Sequence, residues 1–312
     1  MRCLYCYKHL MDGEIDFHSK CSRDFFGTAI PPALQYSKDS MLELAQDIVI
    51  RSIAVTGVQP KISLNIERSP DDPKASRFTI VGLWGGFILK PPTDEFPNLP
   101  ENEDLSMHLA NIFGISTAQH SLIRLKSGEL AYITKRFDRR DGEKIAMEDM
   151  CQLSEKLTDQ KYKGSMEKIG KIIAKHSSRP GLDAIAFFEM ALCSFLTGNA
   201  DMHLKNFSLL TTDENEVVLS PGYDMLCTKI PMPGDVEEMA LTINAKKKKL
   251  KKNDFDLLGK SLGIPEKTVS NIYNRFSQRL SDVTSFIDIS FLPAGMKEMY
   301  KSIITQNASK FS

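Results

Sequence analysis

The alternation of apolar and polar positions divides this chain into two halves of different character. Ile62, Leu64 and Ile66 alternate with polar neighbours, the period-2 signature of a half-buried strand. "RFTIVGLWGGFILK", residues 77–90, reads as two strand-like runs broken by Gly85 and Gly86, with Lys90 ending the second. "HSLIRLKSGELAYITKRFDR" predicts a hairpin turning at Ser127 and Gly128. Between these lies "PENEDLSMHLANIFG", a helix by pattern. Pro100 opens it, acids fill the first turn, Leu105, Leu109, Ile112 and Phe113 form its apolar face, and Gly114 stops it. A further helical pattern occupies 30–50 behind Pro31 and Pro32. After residue 140 the period changes, and helical patterns dominate 146–175, 182–197, 253–279 and 296–308. The expectation is an α+β chain, mainly β over roughly 50–138 and mainly helical afterwards.

One stretch breaks the pattern. "DAIAFFEMALCSFLTGNA" is apolar at nearly every turn and predicts a buried helix ending near Gly198. Asp201, His203, Lys205 and Asn206 follow at once, and then come "FSLLT", "DENE" and "VVLSP", a strand, a turn and a returning strand. "GYDML" comes next. The hairpin folds the chain back, so Asn206 before it and Asp224 after it can meet. Two oxygen ligands and nucleotide phosphates are what Mg2+ usually takes. A carboxylate at Asp201 could accept the proton of an attacking hydroxyl. The Asp-x4-Asn spacing equals that of the protein-kinase catalytic loop, and Asp224 takes the place of the Asp in D-F-G, with Tyr223 before it. In the β half, "VTGVQPK" is a turn with one glycine and a cation, able to close over phosphates. Lys90 at a strand end is placed like the lysine that holds the α- and β-phosphates, and Glu103 on the next helix is its candidate ion-pair partner.

Composition narrows the alternatives. The 312 residues suffice for two compact units. Lys+Arg and Asp+Glu cancel at 40 each, so no overall charge draws the chain to nucleic acid or acidic membrane. "KKKKLKK" at 246–252 reads as a solvated segment. No run of apolar residues approaches the length that spans a bilayer. Asp12, Glu14 and Asp16 fall where a signal peptide would be apolar, so the expected compartment is the cytoplasm.

The cysteines are uneven. Cys3, Cys6, His18 and Cys21 read C-x2-C-x11-H-x2-C, two close ligand pairs separated by a short loop. Four such donors make a tetrahedral zinc site, and so short a segment cannot bury enough surface by itself. Tyr5, Tyr7, Phe17, Phe25 and Phe26 could supply the small core of such a knuckle. Cys151, Cys193 and Cys227 are scattered, Cys193 in an apolar run, and read as core or neutral thiols.

The segments "TGVQPK", "GGFILKPP", "LPENEDLSMHLA", "YITKRFDR", "AMEDMCQ", "KYKGS", "GNADMHLKNFSLL" and "LSPGYDML" run in one order from about residue 52 to about 250. Together they resemble the HipA-like serine/threonine kinases, toxins of bacterial toxin–antitoxin modules. The resemblance implies a two-lobed protein-kinase-like fold that binds Mg-ATP, with a zinc knuckle over 1–30, an N-lobe over 31–138 and a C-lobe over 139–312. It makes Asp201 the catalytic base and Asn206 and Asp224 the Mg2+ ligands. Lys90 becomes the phosphate lysine, and Thr56, Gly57, Val58, Gln59 and Lys61 belong to the phosphate loop. Lys135, Arg136 and Phe137 become the hinge beside adenine, with His203 and Lys205 as further nucleotide contacts.

Two departures stand out. Many family members carry a regulatory serine three residues before the loop glycine, where this chain has Ala54. Thr56 or Ser52 takes autophosphorylation over, or that control is absent. Larger members also begin with an additional small subdomain, where this chain has the Cys/His knuckle. The resemblance therefore implies a short form, with a helix-turn-helix antitoxin and a separate small N-subdomain-like protein as partners and no nucleic acid held directly. Its acceptor would be a translation component such as an aminoacyl-tRNA synthetase. A small-molecule or lipid kinase and a non-catalytic nucleotide- or antitoxin-binding module remain the alternatives.

Overall fold

The structure, a computed structural model, describes residues 1–41, 43–44, 61–68, 76–81, 85–140 and 142–311. Ser52, Ala54, Thr56, Gly57, Val58 and Gln59 lie outside the described residues, as does most of the second half of the helical pattern expected at 30–50. Contacts divide the chain into two compact units, one of Met1–Asp104 with Ala118–Lys144, the other of Leu105–Thr117 with Ile145–Ser312.

The first unit is built on an antiparallel sheet. Its strands β1 (Ile62–Arg68), β2 (Ser76–Ile80), β3 (Phe87–Lys90), β4 (His120–Arg124) and β5 (Leu130–Lys135) lie in the order β2-β1-β3-β5-β4. β3 sits centrally because "FILK" places Phe87 and Leu89 in the core. Its register on β5 pairs Lys90 with Tyr132. Gly128, at φ 105°, closes the β4–β5 hairpin at the expected place. Helix α1 (Ser19–Phe26) ends on Gly27 in the left-handed region. Phe25 and Phe26 pack against Phe87 and Phe78 of the sheet, with ring centroids 5.8 Å apart in both pairs. The aromatic residues of the Cys/His segment pack on one another, Tyr5 on Phe25 at 5.5 Å and Phe17 on Phe26 at 5.2 Å, and through Phe25 and Phe26 their cluster continues into the sheet's core. Helix α2 spans Leu99–Phe113, and β6 (Arg139–Arg140) pairs with β7 (Glu143–Lys144).

The second unit is mainly helical, with a small sheet of β8 (Met147–Asp149), β9 (Ser208–Thr211) and β10 (Val217–Leu219) in the order β10-β9-β8. The helical pattern expected over 146–175 breaks up. β8 pairs with β9, and Asp149 closes a capping box with Gln152 to start the short helix α3 (Met150–Leu153). Ser165 then caps α4 (Met166–His176). Helix α5 (Pro180–Leu196) has Pro180 at its first turn and is buried from Phe187 onward. Asp183 in that first turn is buried and accepts the Leu219 amide of β10 at 2.8 Å, which fixes helix to sheet. The pattern expected as one helix over 253–279 divides at Gly263 (φ 72°) and Pro265 into α6 (Lys252–Ser261) and α7 (Glu266–Asp288). Helix α8 covers Ala294–Ala308. Phe195, Phe255 and Phe311 pack edge to face at 5.2–5.7 Å across α5, α6 and the C-terminal turn. No helix among the described residues is long and apolar enough to cross a membrane.

Candidate functional site

The polar loop of the second unit begins where α5 must stop. Gly198 sits at φ 69°, and a Cβ there would lie 2.9 Å from Ile303 Cγ2, so both backbone and space demand glycine. Thr228 reaches across from the segment after Asp224. Its hydroxyl donates to the Gly198 carbonyl at 3.1 Å and accepts the Ala200 amide at 2.9 Å. Asn199 Oδ1 accepts the Asp201 amide at 3.0 Å. These bonds hold the backbone of Asp201 in place before any ligand arrives.

Asp201, Asn206 and Asp224 come together. The amide nitrogen of Asn206 donates to the Asp201 carbonyl at 3.5 Å and to the Asp224 carbonyl at 3.4 Å, so this one side chain ties both ends of the hairpin. Asp224 adopts φ 57°, a conformation that Asp tolerates better than most residues. Tyr223 beside it is fixed by Ser208 Oγ at 2.6 Å and donates to the Lys205 carbonyl at 2.8 Å. Lys205 itself turns to Asp149, 2.7 Å away. His203 is 6% exposed, and its Nδ1 and the Nδ2 of Asn199 are buried with no hydrogen-bond partner among the described residues. Burial pushes the His203 imidazole below its ordinary value, against the pull of the Asp201 charge, so it is neutral near pH 7.

Tyr162, in the "KYKGS" segment, was given no role by the sequence, yet its hydroxyl donates to Asp201 Oδ1 at 2.6 Å. Its ring meets that of His203 edge-on at 5.1 Å. Burial first, and then the Asp201 hydrogen bond and charge, push the phenol well above its usual range, so the proton stays on Tyr162. Nothing in the spacing of "KYKGS" signals this contact, because the Lys161 carbonyl reaches the loop by accepting the Leu204 amide, 43 residues on, at 3.1 Å. Thr228 and Asn199 were likewise given no role, and they act through backbone contacts that spacing does not encode.

In the first unit Lys90 is 3% exposed and its Nζ lies 2.5 Å from Glu103 Oε1. The Lys90–Glu103 pairing expected from sequence is present. The ammonium also lies 5.4 Å from the Tyr132 ring centroid. Lys61 and Lys135 are exposed at strand ends. Arg136 donates its backbone N–H to Gly86 at 2.8 Å and pairs with Asp138 at 2.7 Å. Phe137, next to it, is half-buried.

The N-terminal cysteines also meet. The ligand atoms of Cys3, Cys6, His18 and Cys21 all lie within 4.8 Å of one another. His18 Nδ1 is 3.4 Å from Cys6 Sγ and 3.6 Å from Cys21 Sγ, and its Nε2 lies 2.8 Å from the His9 carbonyl. Cys151, Cys193 and Cys227 are buried and form no disulfide among the described residues.

The HipA-like C-terminal domain family matches residues 53–284. "Putative kinase Y4dM" of Sinorhizobium fredii is 33% identical over 232 residues, 69% of this chain and 55% of that protein. The "Serine/threonine-protein kinase toxin HipA" of Shewanella oneidensis is 27% identical over 214 residues, 62% of this chain and 47% of that protein. The chain therefore spans about half the length of these curated relatives. Among solved structures, Shewanella oneidensis HipA in complex with HipB and operator DNA matches with a TM-score of 0.65 at 22% identity, over 82% of this chain and 64% of that one. The Helicobacter pylori proinflammatory kinase CtkA matches with a TM-score of 0.56 at 17% identity, over 78% and 92%. These similarities show a mixed α/β kinase-like fold, and the chain belongs to the HipA-like C-terminal domain family.

Proposed function

We propose that the chain is an ATP-dependent serine/threonine protein kinase that transfers the γ-phosphoryl group of Mg-ATP to a protein hydroxyl. The observation that carries this reading is the Asn206 bridge, which gathers Asp201 and Asp224 around one amide. Asp201 takes the proton of the attacking hydroxyl. Its Oδ1 already accepts one hydroxyl, that of Tyr162, at a distance suited to proton transfer. Asn206 and Asp224 hold Mg2+. The amide nitrogen of Asn206 is turned to two carbonyls, and its oxygen is the hard ligand that this cation takes. Bound Mg2+ supplies charge neutralisation at the phosphate oxygens. Lys90, steadied by Glu103, contacts phosphate; Thr56, Gly57, Val58, Gln59 and Lys61 close over it; Lys135, Arg136 and Phe137 border adenine. The buried Nδ1 of neutral His203, without a hydrogen-bond partner among the described residues, suits a phosphate oxygen when it carries the ring proton, and a bridging water in either tautomer. Lys205 is an outer cation, held in reserve on Asp149.

Zinc belongs to the same reading, bound by Cys3, Cys6, His18 and Cys21. Ligands at about 2.3 Å (sulfur) and 2.0 Å (nitrogen) at the tetrahedral angle stand about 3.5 Å apart. The two His18–sulfur distances of 3.4 and 3.6 Å agree with that. His18 Nε2–H donating to the His9 carbonyl leaves Nδ1 as the ligand atom, the usual arrangement for a metal-bound imidazole.

A helix-turn-helix antitoxin is the proposed partner, by analogy with the HipA–HipB complex, with a separate small N-subdomain-like polypeptide as a second. The proposed acceptor is a translation component such as an aminoacyl-tRNA synthetase, and Thr56 or Ser52 is the candidate for self-modification. The test is transfer of labelled γ-phosphate from Mg-ATP, wild type beside Asp201→Asn, with and without extract of a bacterial host. Wild type should label protein, and the variant should be slower by about 10²–10⁴-fold. Nucleotide binding without any protein label would overturn the protein-kinase reading in favour of a small-molecule acceptor or a silent binding module.

A further inference from the structure

We infer that the zinc-loaded Cys3–Cys6–His18–Cys21 cluster positions the Lys90–Glu103 ion pair, acting through Tyr7, Asp104 and His120. The inference rests on the proposed roles of zinc and of Lys90.

The path begins one residue after a metal ligand. Tyr7 follows Cys6 and sits at φ 63°, an uncommon conformation for a bulky residue. Its amide donates to the Cys3 carbonyl at 3.0 Å, so the same turn carries two of the ligands. A turn that forces a tyrosine into this region needs support from its surroundings, and four ligands on one cation would give it. Tyr7 is completely buried, and its hydroxyl donates to Asp104 Oδ2 at 2.7 Å. The other oxygen of Asp104 lies 2.7 Å from His120 Nδ1 on β4. Asp104 has no exposed surface, so losing a partner there leaves charge buried with less to balance it.

Two routes lead from Asp104 to Lys90. Along α2 the neighbouring residue is Glu103, whose carboxylate holds the Lys90 ammonium. Across the sheet, the His120 ring stacks on Tyr132 at 6.1 Å, and Lys90 lies 5.4 Å from the Tyr132 ring. The knuckle is anchored beside this network. The Leu4 carbonyl accepts the Leu122 amide at 3.3 Å and the Ser121 hydroxyl at 3.2 Å, and Asp16 pairs with Arg124 at 2.9 Å. Tyr7 is therefore the link between a metal-dependent turn and the buried charges of α2, a positioning residue that touches neither nucleotide nor acceptor.

The experiment compares the full chain as zinc-loaded, chelator-stripped and zinc-refilled protein, with Tyr7→Phe as a variant that keeps all four ligands. Metal content, hydrogen exchange over 87–90 and 99–105, and Mg-ATP affinity are measured on each. Loaded protein should hold one zinc, and stripping should speed exchange in both segments and weaken Mg-ATP by about 5- to 150-fold, the usual range of coupling between two sites. Refilling should restore both. Tyr7→Phe should keep its zinc, speed exchange at 99–105, and raise KM for ATP with acceptor KM unchanged. A merely structural loss would move both KM values. The inference is overturned if the protein takes up no zinc, or if stripped and loaded chains exchange alike. If stripping unfolds the chain, Tyr7→Phe decides, and normal exchange with normal KM overturns the inference. Failure of loaded wild type to bind Mg-ATP would instead strike the kinase reading, and the exchange data would still judge the coupling.

Discussion

At the scale of single residues, Asp201 and Tyr162 set the main question, because under the proposed kinase reading an acceptor hydroxyl would use the carboxylate that Tyr162 already occupies. Tyr162 is 42% exposed, so its hydrogen bond is worth less than a buried one. Its removal should free Asp201 for the acceptor by about 1 kcal/mol, roughly fivefold in kcat/KM. Tyr162→Phe should therefore raise kcat/KM for the protein acceptor and leave ATP affinity unchanged. Steady-state kinetics varying one substrate at a time checks this, and a lower kcat/KM would show that Tyr162 orients Asp201 instead of competing for it. The residues legible in the sequence were those whose chemistry is local. Asp201, Asn206 and Asp224 are joined by one short hairpin, so spacing alone placed them near each other. Lys90 and Glu103 were legible because a strand end and the next helix leave few arrangements. Tyr162 and Tyr7 were not, since each reaches its carboxylate through tertiary contacts, 39 and 97 residues away in sequence.

At the scale of elements, the start of α6 explains the lysine run before it. Asp254 is buried, and its carboxylate accepts Lys246 Nζ and Asn244 Nδ2 at 2.7 Å each and the Lys251 amide at 2.9 Å. Lys252 pairs with Asp256, and Lys247 with Glu237. Burial raises the Asp254 carboxyl, but these donors outweigh it and hold the group below its ordinary value. A carboxylate lowered in this way stabilises the fold above its unfolded value of about 3.9, and that stability is lost as pH falls through the folded value. Asp254→Asn should cost about 1–3 kcal/mol at pH 7, with the difference from wild type shrinking toward pH 3. Chemical denaturation at both pH values measures it, and a cost that stays constant with pH would remove the charge from the explanation. Elements with long, unbroken periodicity were readable, as α5 shows. The 146–175 region was not, because its apolar residues are consistent with a helix until Asp149, Gln152 and Ser165 act as caps. Pairing of β8 with β9 then overrides local propensity.

At the scale of the whole molecule, the balance of 40 cations and 40 anions bears on what the chain can hold by itself. Affinity for duplex DNA comes chiefly from cations that displace counterions, and each phosphate contact adds about 0.9 to the salt slope. A zero net charge does not forbid a local basic patch, so the lysine run is the place to look. Much of it is committed: Lys246, Lys247 and Lys252 each face a carboxylate of their own chain. A lysine already paired gains less from a phosphate, because it must first give up its partner. The chain without an antitoxin should therefore bind random duplex no tighter than about 10⁻⁴ M at physiological salt, with a log–log salt slope of about −2 or shallower. Titration of a labelled duplex between roughly 50 and 200 mM salt checks both numbers. A slope near −5 would mean that about six phosphates are engaged directly. DNA contact would then belong to this chain as well as to its proposed partner, and the lysine run would be the first segment to neutralise. A shallow slope that steepens only when a helix-turn-helix protein is added would place the DNA contacts on that protein.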